Sequence, residues 1–95
     1  METTLALYLI TYDLRAPGRN YGALHKQLTD WKAARICESV WLADLTGPAS
    51  TVRDILQSLI DDNDRLFVIQ QFSNALWAAH LGMSEGIDWL RKQIP

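Results

Sequence analysis

Ninety-five residues with 48% apolar side chains, only five Gly and three Pro, and a net charge of −2 describe one small folded globule. That balance excludes a strongly basic nucleic-acid coat, and the lone cysteine, Cys37, excludes an intrachain disulfide or a multi-cysteine zinc site. The charge is uneven: residues 1–35 carry five basic against three acidic side chains, whereas residues 36–95 carry four against eight. A local basic surface in the first half is compatible with this pattern. Met1-Glu2-Thr3-Thr4 is not a basic leader, so the expected location is the cytoplasm.

The organising stretch is Thr4 to Leu14, an uncharged apolar run that ends at Asp13. As a strand it points Leu5, Leu7, Leu9 and Thr11 to one face and Ala6, Tyr8, Ile10 and Tyr12 to the other. Both faces are apolar, which predicts a central strand covered on two sides. The run is too short to span a bilayer, which takes about 20 apolar residues, so no membrane partner is expected. Asp13 falls where that strand leaves the sheet, a place where functional side chains collect.

Arg15 to Asn20 contains Pro17-Gly18 and reads as a turn, with Asn20 able to cap the next helix. Tyr21, Leu24, Leu28 and Trp31 then recur at helical spacing, which predicts a helix over Asn20 to Trp31. Arg35 to Leu45 reads as strand, broken at Cys37-Glu38-Ser39 by either a bulge or a tight hairpin. Thr46 to Thr51 opens a second helix with competing caps, Thr51 with Asp54 against Pro48 in the first turn. Val52, Ile55, Leu56, Leu59 and Ile60 form its apolar stripe. After the acidic turn Asp61 to Asp64, Arg65 to Phe72 reads as another buried strand. Leu76 to His80 suggests a short extra strand, and Ser84 caps a final helix whose apolar edge is Ile87, Leu90 and Ile94.

This order predicts an α+β fold, a ferredoxin-like βαββαβ sandwich over residues 1–72. Residues 73–95 add a strand and a helix to the same domain. Tyr8, Ile10 and their neighbours are expected to need cover on a face the helices do not reach, from a second copy or from the C-terminal segment.

Several short motifs carry a family likeness: Tyr12-Asp13-Leu14 with Pro17-Gly18 and Tyr21, then Ser39-Val40-Trp41-Leu42, then Asp62-Asn63-Asp64-Arg65-Leu66. They resemble the superfamily of small CRISPR-associated adaptation nucleases and VapD-type ribonucleases, and more closely its SinR-like branch, over roughly residues 5 to 72. The resemblance implies a homodimer that cuts RNA or DNA, with the acid ending the first strand binding Mg²⁺ or Mn²⁺ near the dimer axis. Carried onto this chain, it makes Asp13 the catalytic and metal-binding residue, with Tyr12 and Ser39 alongside. It also implies that the C-terminal segment adds a strand to the partner's sheet, here from residues 73 to 80. The chain departs from the pattern in its first helix, which offers only His25, Lys26 and Lys32 where a more basic surface is usual.

The residues themselves allow plainer readings. One carboxylate holds magnesium weakly, and a two-fold dimer would pair two copies of Asp13. Asp13 could instead accept backbone N–H groups of the following loop, or pair with Arg15 or Arg19. As an alternative to their pairing with Asp13, those two arginines would steady substrate phosphates. His25 has the ordinary pKa of a general base but sits beside the apolar stripe, where a half-buried surface histidine is common. Cys37 reads as a packed small residue and Ser39 as a strand or dimer-axis hydroxyl. The acidic turn lacks the spacing of a calcium loop. Trp31 belongs to the helix stripe; Trp41, Trp77 and Trp89 suit a subunit interface. The function expected is therefore a metal-dependent endonuclease or, alternatively, a non-catalytic dimeric module of the same fold that binds nucleic acid, a small ligand or a protein.

Overall fold

The computed structural model describes residues 6–15, 21–71 and 76–93. Four antiparallel strands form an open sheet: β1 (Ala6–Asp13), β2 (Ala34–Cys37), β3 (Val40–Leu45) and β4 (Arg65–Gln71). Three helices complete this α+β fold: α1 (Gly22–Asp30), α2 (Ala49–Gln57) and α3 (Ser84–Gln93). The spatial order of the strands is β2-β3-β1-β4. The break at Cys37-Glu38-Ser39 is a hairpin, and the irregularity lies in the register between Arg35 and Cys37.

β1 is an inner strand paired on both sides, Ile10 opposite Trp41 on β3 and opposite Val68 on β4, and β3 is the other inner strand, between β1 and β2. The alternation of β1 works as the sequence requires. Tyr8 and Ile10 are completely buried, and with Tyr12 they pack against Leu24 and Leu28 of α1 and Val52 and Leu56 of α2. This corrects the expectation about uncovered residues. Tyr8 and Ile10 lie under the helices, and the face the two helices do not reach is that of Leu7, Leu9 and Thr11. Trp41 is corrected in the same way: at 6% exposed it fills the helix-side core and is not available to another subunit.

α3 covers part of the second face. Leu90 packs on Leu7 and Leu42, flanked by Leu9, Ile36, Trp77 and Trp89. The Met83 amide donates to the Ile36 carbonyl at 2.9 Å, and Gly86 lets α3 press directly on the β2 backbone. Residues 76–80 form no strand; Trp77 lies on this apolar face, so the segment runs over the sheet rather than along its edge. β4 is likewise not a buried strand. It is an edge, and Phe67 and Ile69 are 56% and 38% exposed on the face that α3 leaves open.

The helix ends also differ from the expected caps. α2 starts at Ala49 with Pro48 in the N-cap position, and Thr51 is already inside the helix, so it caps nothing. Gly47 turns the chain into α2 at φ 95°, a conformation that suits glycine, and its carbonyl accepts the Tyr8 hydroxyl. α1 closes with the Ala33 amide on the Leu28 carbonyl and the Lys32 amide on that of Thr29, a Schellman pair that puts Lys32 at φ 58°. The proposed cap Asn20, the Pro17-Gly18 turn, Phe72 and Ile94 lie outside the described residues. Among the described residues no helix is long and apolar enough to cross a membrane.

Candidate functional site

β1 delivers Tyr12 and Asp13 to the same end of the sheet on opposite faces, as strand alternation dictates. Asp13 lies on the Thr11 side, directly across from Arg65 of β4 in the sheet register. Arg65 Nη1 donates to Asp13 Oδ2 at 3.3 Å, with the two side chains 71% and 60% exposed. Among the described residues Asp13 pairs with Arg65 rather than with Arg15. Arg15 and Tyr21 are both tied to Asp64, whose Oδ1 accepts the Arg15 amide at 2.7 Å and the Tyr21 hydroxyl at 3.1 Å. Its other oxygen accepts the Asp61 amide, and the Asp64 amide donates back to the Asp61 carbonyl at 3.1 Å, so the acidic turn closes on itself, as a plain turn should. The Arg15 side chain is exposed, and Arg19 lies outside the described residues.

Tyr12 points inward. Its hydroxyl accepts Trp41 Nε1–H at 3.0 Å and lies 3.3 Å from His25 Nε2. The hairpin turn closes beside it, with the Tyr12 amide donating to the Ser39 carbonyl at 3.3 Å. Arg35 completes the cluster: its Nε donates to the Glu38 carbonyl at 2.7 Å, its Nη2 contacts the same oxygen, and its guanidinium stands 5.3 Å over the Trp41 ring. A cleft of about 370 Å³ opens here, lined by Tyr12, Asp13, Leu14, His25, Arg35, Glu38 and Ser39. A smaller hollow of about 170 Å³ lies on the other side of the same strand end, between Asp13, Arg65 and Phe67.

The cleft unites Tyr12, Asp13 and Ser39, three of the expected site residues, and adds His25, Arg35 and Glu38. Nothing in the sequence marks Arg35 as a site residue, because it enters only through the hairpin that folds β2 beside β1. Cys37 is exposed at the end of β2 and is not a packed residue. His80 is exposed and lines no part of the cleft.

Partial burial lowers the His25 pKa below its ordinary 6.5, and the nearby Arg35 charge lowers it further, so the imidazole is neutral at pH 7. The unfolded chain then binds more protons than the folded one just below pH 6.5. This contribution makes the fold less stable as pH drops through that window, with the whole penalty reached below the folded-state pKa. Melting temperatures recorded against pH should show this slope in the wild type and lose it in His25→Gln. An unchanged slope in the variant would assign it to other groups.

The fit to a divalent cation is poor within one chain. Asp13 supplies a single carboxylate that Arg65 already engages, and among the described residues no three His, Cys, Asp or Glu side chains converge. No family model matches the chain, and no solved structure matches it.

Proposed function

We propose that the chain cleaves the phosphodiester backbone of a nucleic acid, RNA or DNA, and works as a homodimer. The observation that carries this reading is the position of Asp13. An exposed carboxylate ends the central strand at the mouth of a cleft that also holds an arginine, a neutral imidazole and a serine. The likeness to the SinR-like branch of the adaptation-nuclease and VapD-type superfamily supports it, and that likeness rests on the same Tyr12-Asp13-Leu14 and Ser39-Val40-Trp41 segments. The strand order β2-β3-β1-β4 with α1 and α2 on one face suits the ferredoxin-like arrangement that the likeness implies.

Phe67 and Ile69, exposed on the same face as Asp13 on the edge strand β4, support the dimer reading. A two-fold axis there brings a second Asp13 toward the first and doubles the carboxylates available to Mg²⁺ or Mn²⁺. When bound, such an ion supplies Lewis-acid stabilisation of phosphate charge. The residues of this chain would contribute Asp13 as ligand and Arg15, Arg19 and Ser39 as substrate contacts, with Tyr12, which the sequence also suggested as a contact, supporting the site from beneath through His25. A cytoplasmic location accords with an exposed, unpaired Cys37. One observation favours a second reading, a non-catalytic dimeric module that binds nucleic acid, a small ligand or a protein: Arg65 neutralises the single carboxylate.

The test is cleavage of labelled single-stranded RNA and duplex DNA with Mg²⁺, Mn²⁺ or EDTA, wild type beside Asp13→Ala. The nuclease reading expects metal-dependent cutting that disappears in the variant. The variant should fold normally, because an exposed ion pair contributes only about 0–1 kcal/mol. Clean wild type that cuts nothing, or a variant that cuts equally, refutes this reading and leaves the binding module.

A further inference from the structure

The floor of the cleft is a hydrogen-bond chain whose direction can be worked out. Trp41 Nε1–H can only donate, so the Tyr12 oxygen accepts it at 3.0 Å. The Tyr12 hydroxyl is buried, and its own proton needs an acceptor; among the described residues His25 Nε2, at 3.3 Å, is in reach. Nε2 is then the unprotonated nitrogen of a neutral ring, and the proton sits on Nδ1. Each bond polarises the next, from Trp41 to Tyr12 to His25. His25 lines the cleft, and its remaining polar atom is that Nδ1–H donor.

Arg35 supplies the second donor. Its Nε and Nη2 edge is spent on the Glu38 carbonyl, and stacking over Trp41 holds the guanidinium plane in place. Nη1 keeps no protein partner among the described residues. A guanidinium accepts no hydrogen bond, and neither does an Nδ1–H, so these groups suit an anion and repel a cation. Two carboxylates also line the cleft: Asp13 is balanced by Arg65, and Glu38 is exposed.

We propose that this cleft is a phosphate seat, in which His25 Nδ1–H and the Nη1 edge of Arg35 hold one phosphate of a nucleic-acid strand beside Asp13, while Tyr12 is the positioning residue that sets the His25 tautomer. The choice of a nucleic-acid phosphate over another anion rests on the phosphodiester reading above. The donors themselves come from the geometry. The seat places its phosphate on the helix side of the strand end, so a strand bound there passes over the β2–β3 turn.

Two measurements test it. Long-range ¹H–¹⁵N spectra of labelled protein at pH 7 should give His25 the Nδ1–H tautomer, and Tyr12→Phe should shift it toward Nε2–H. An Nε2–H tautomer in the wild type would overturn the assignment. The second is binding of short single-stranded oligouridine, with inorganic phosphate as competitor. Arg35→Gln and His25→Leu should each weaken binding about tenfold or more, as loss of a charge-assisted or buried donor does. His25→Asn keeps a donor near the Nδ1 position and should retain most of the affinity, which separates loss of the donor from loss of the fold. If the wild type binds or cuts oligonucleotides and the Arg35 and His25 variants match it, the seat is wrong and the phosphodiester reading stands. If the wild type neither binds nor cuts, both fall.

Discussion

Gly86→Val should loosen α3 on the sheet and cost roughly 3–5 kcal/mol. A side chain at position 86 starts with a Cβ only 2.6 Å from the Arg35 carbonyl oxygen and 2.7 Å from the Ile36 Cα. Both obstacles are β2 backbone, held by the flanking pairs Arg35 with Trp41 and Cys37 with Val40, so the helix has to give way. Lifting it breaks the Met83 amide bond to Ile36 and the Glu85 carboxylate bond to the Arg35 amide. It also wets Leu7, Leu42 and Leu90, each no more than 6% exposed, and burial of each leucine contributes about 1.5–3 kcal/mol. Only part of that burial is lost, because the sheet face can still attract α3 loosely. Thermal unfolding with tryptophan emission measures the effect, since Trp77 and Trp89 belong to this cluster. A lower melting temperature with red-shifted native emission is expected. A melting temperature matching the wild type would mean that α3 does not rely on this contact.

Leu24→Ala should destabilise the protein by about 2–5 kcal/mol, as deletion of a fully packed leucine does. Leu24 is completely buried where α1 meets Tyr8, Tyr12 and Trp41. For a domain of this size each kcal/mol moves the melting temperature about 4–8 °C, so the shift is large enough to read by calorimetry. The neighbouring His25 should respond too, because α1 sets its distance from Tyr12. Ile55→Ala is the matched control: Ile55 falls on the apolar stripe of α2 in sequence but is 41% exposed, and its loss should cost little. Equal costs at the two positions would contradict the packing described here.

These two outcomes separate what periodicity conveys from what topology adds. The alternation of β1 specified two apolar faces, and the stripe Leu24 and Leu28 specified the inner side of α1, because strand and helix periods depend only on local backbone geometry. Asp13 at the end of β1 was legible for the same reason, as the first charge after an apolar run. The helix ends were less legible. Pro48 and Lys32 stand where a side-chain cap and a glycine are usual, and backbone hydrogen bonds close both ends.

Sheet position was not legible, and most corrections trace to it. Leu66, Phe67, Val68 and Ile69 form an apolar run fit for a central strand, yet β4 pairs on one side only and exposes Phe67 and Ile69. Trp41 has an interface composition, and only its register opposite Ile10 commits it to the core. The amino-acid sequence by itself determined where β1, β4 and the three helices lie, which side chains share a face, and that an acid ends the first strand, but it wrongly suggested a strand at Leu76 to His80. Only the tertiary structure decided which strand forms the edge, that α3 covers part of the second face, that Arg65 pairs with Asp13, and that His25 and Arg35 meet Tyr12. The reason is that hydrophobic burial is non-directional. An apolar stripe encodes a need for cover, and chain connectivity with hydrogen-bonded pairing selects the element that supplies it.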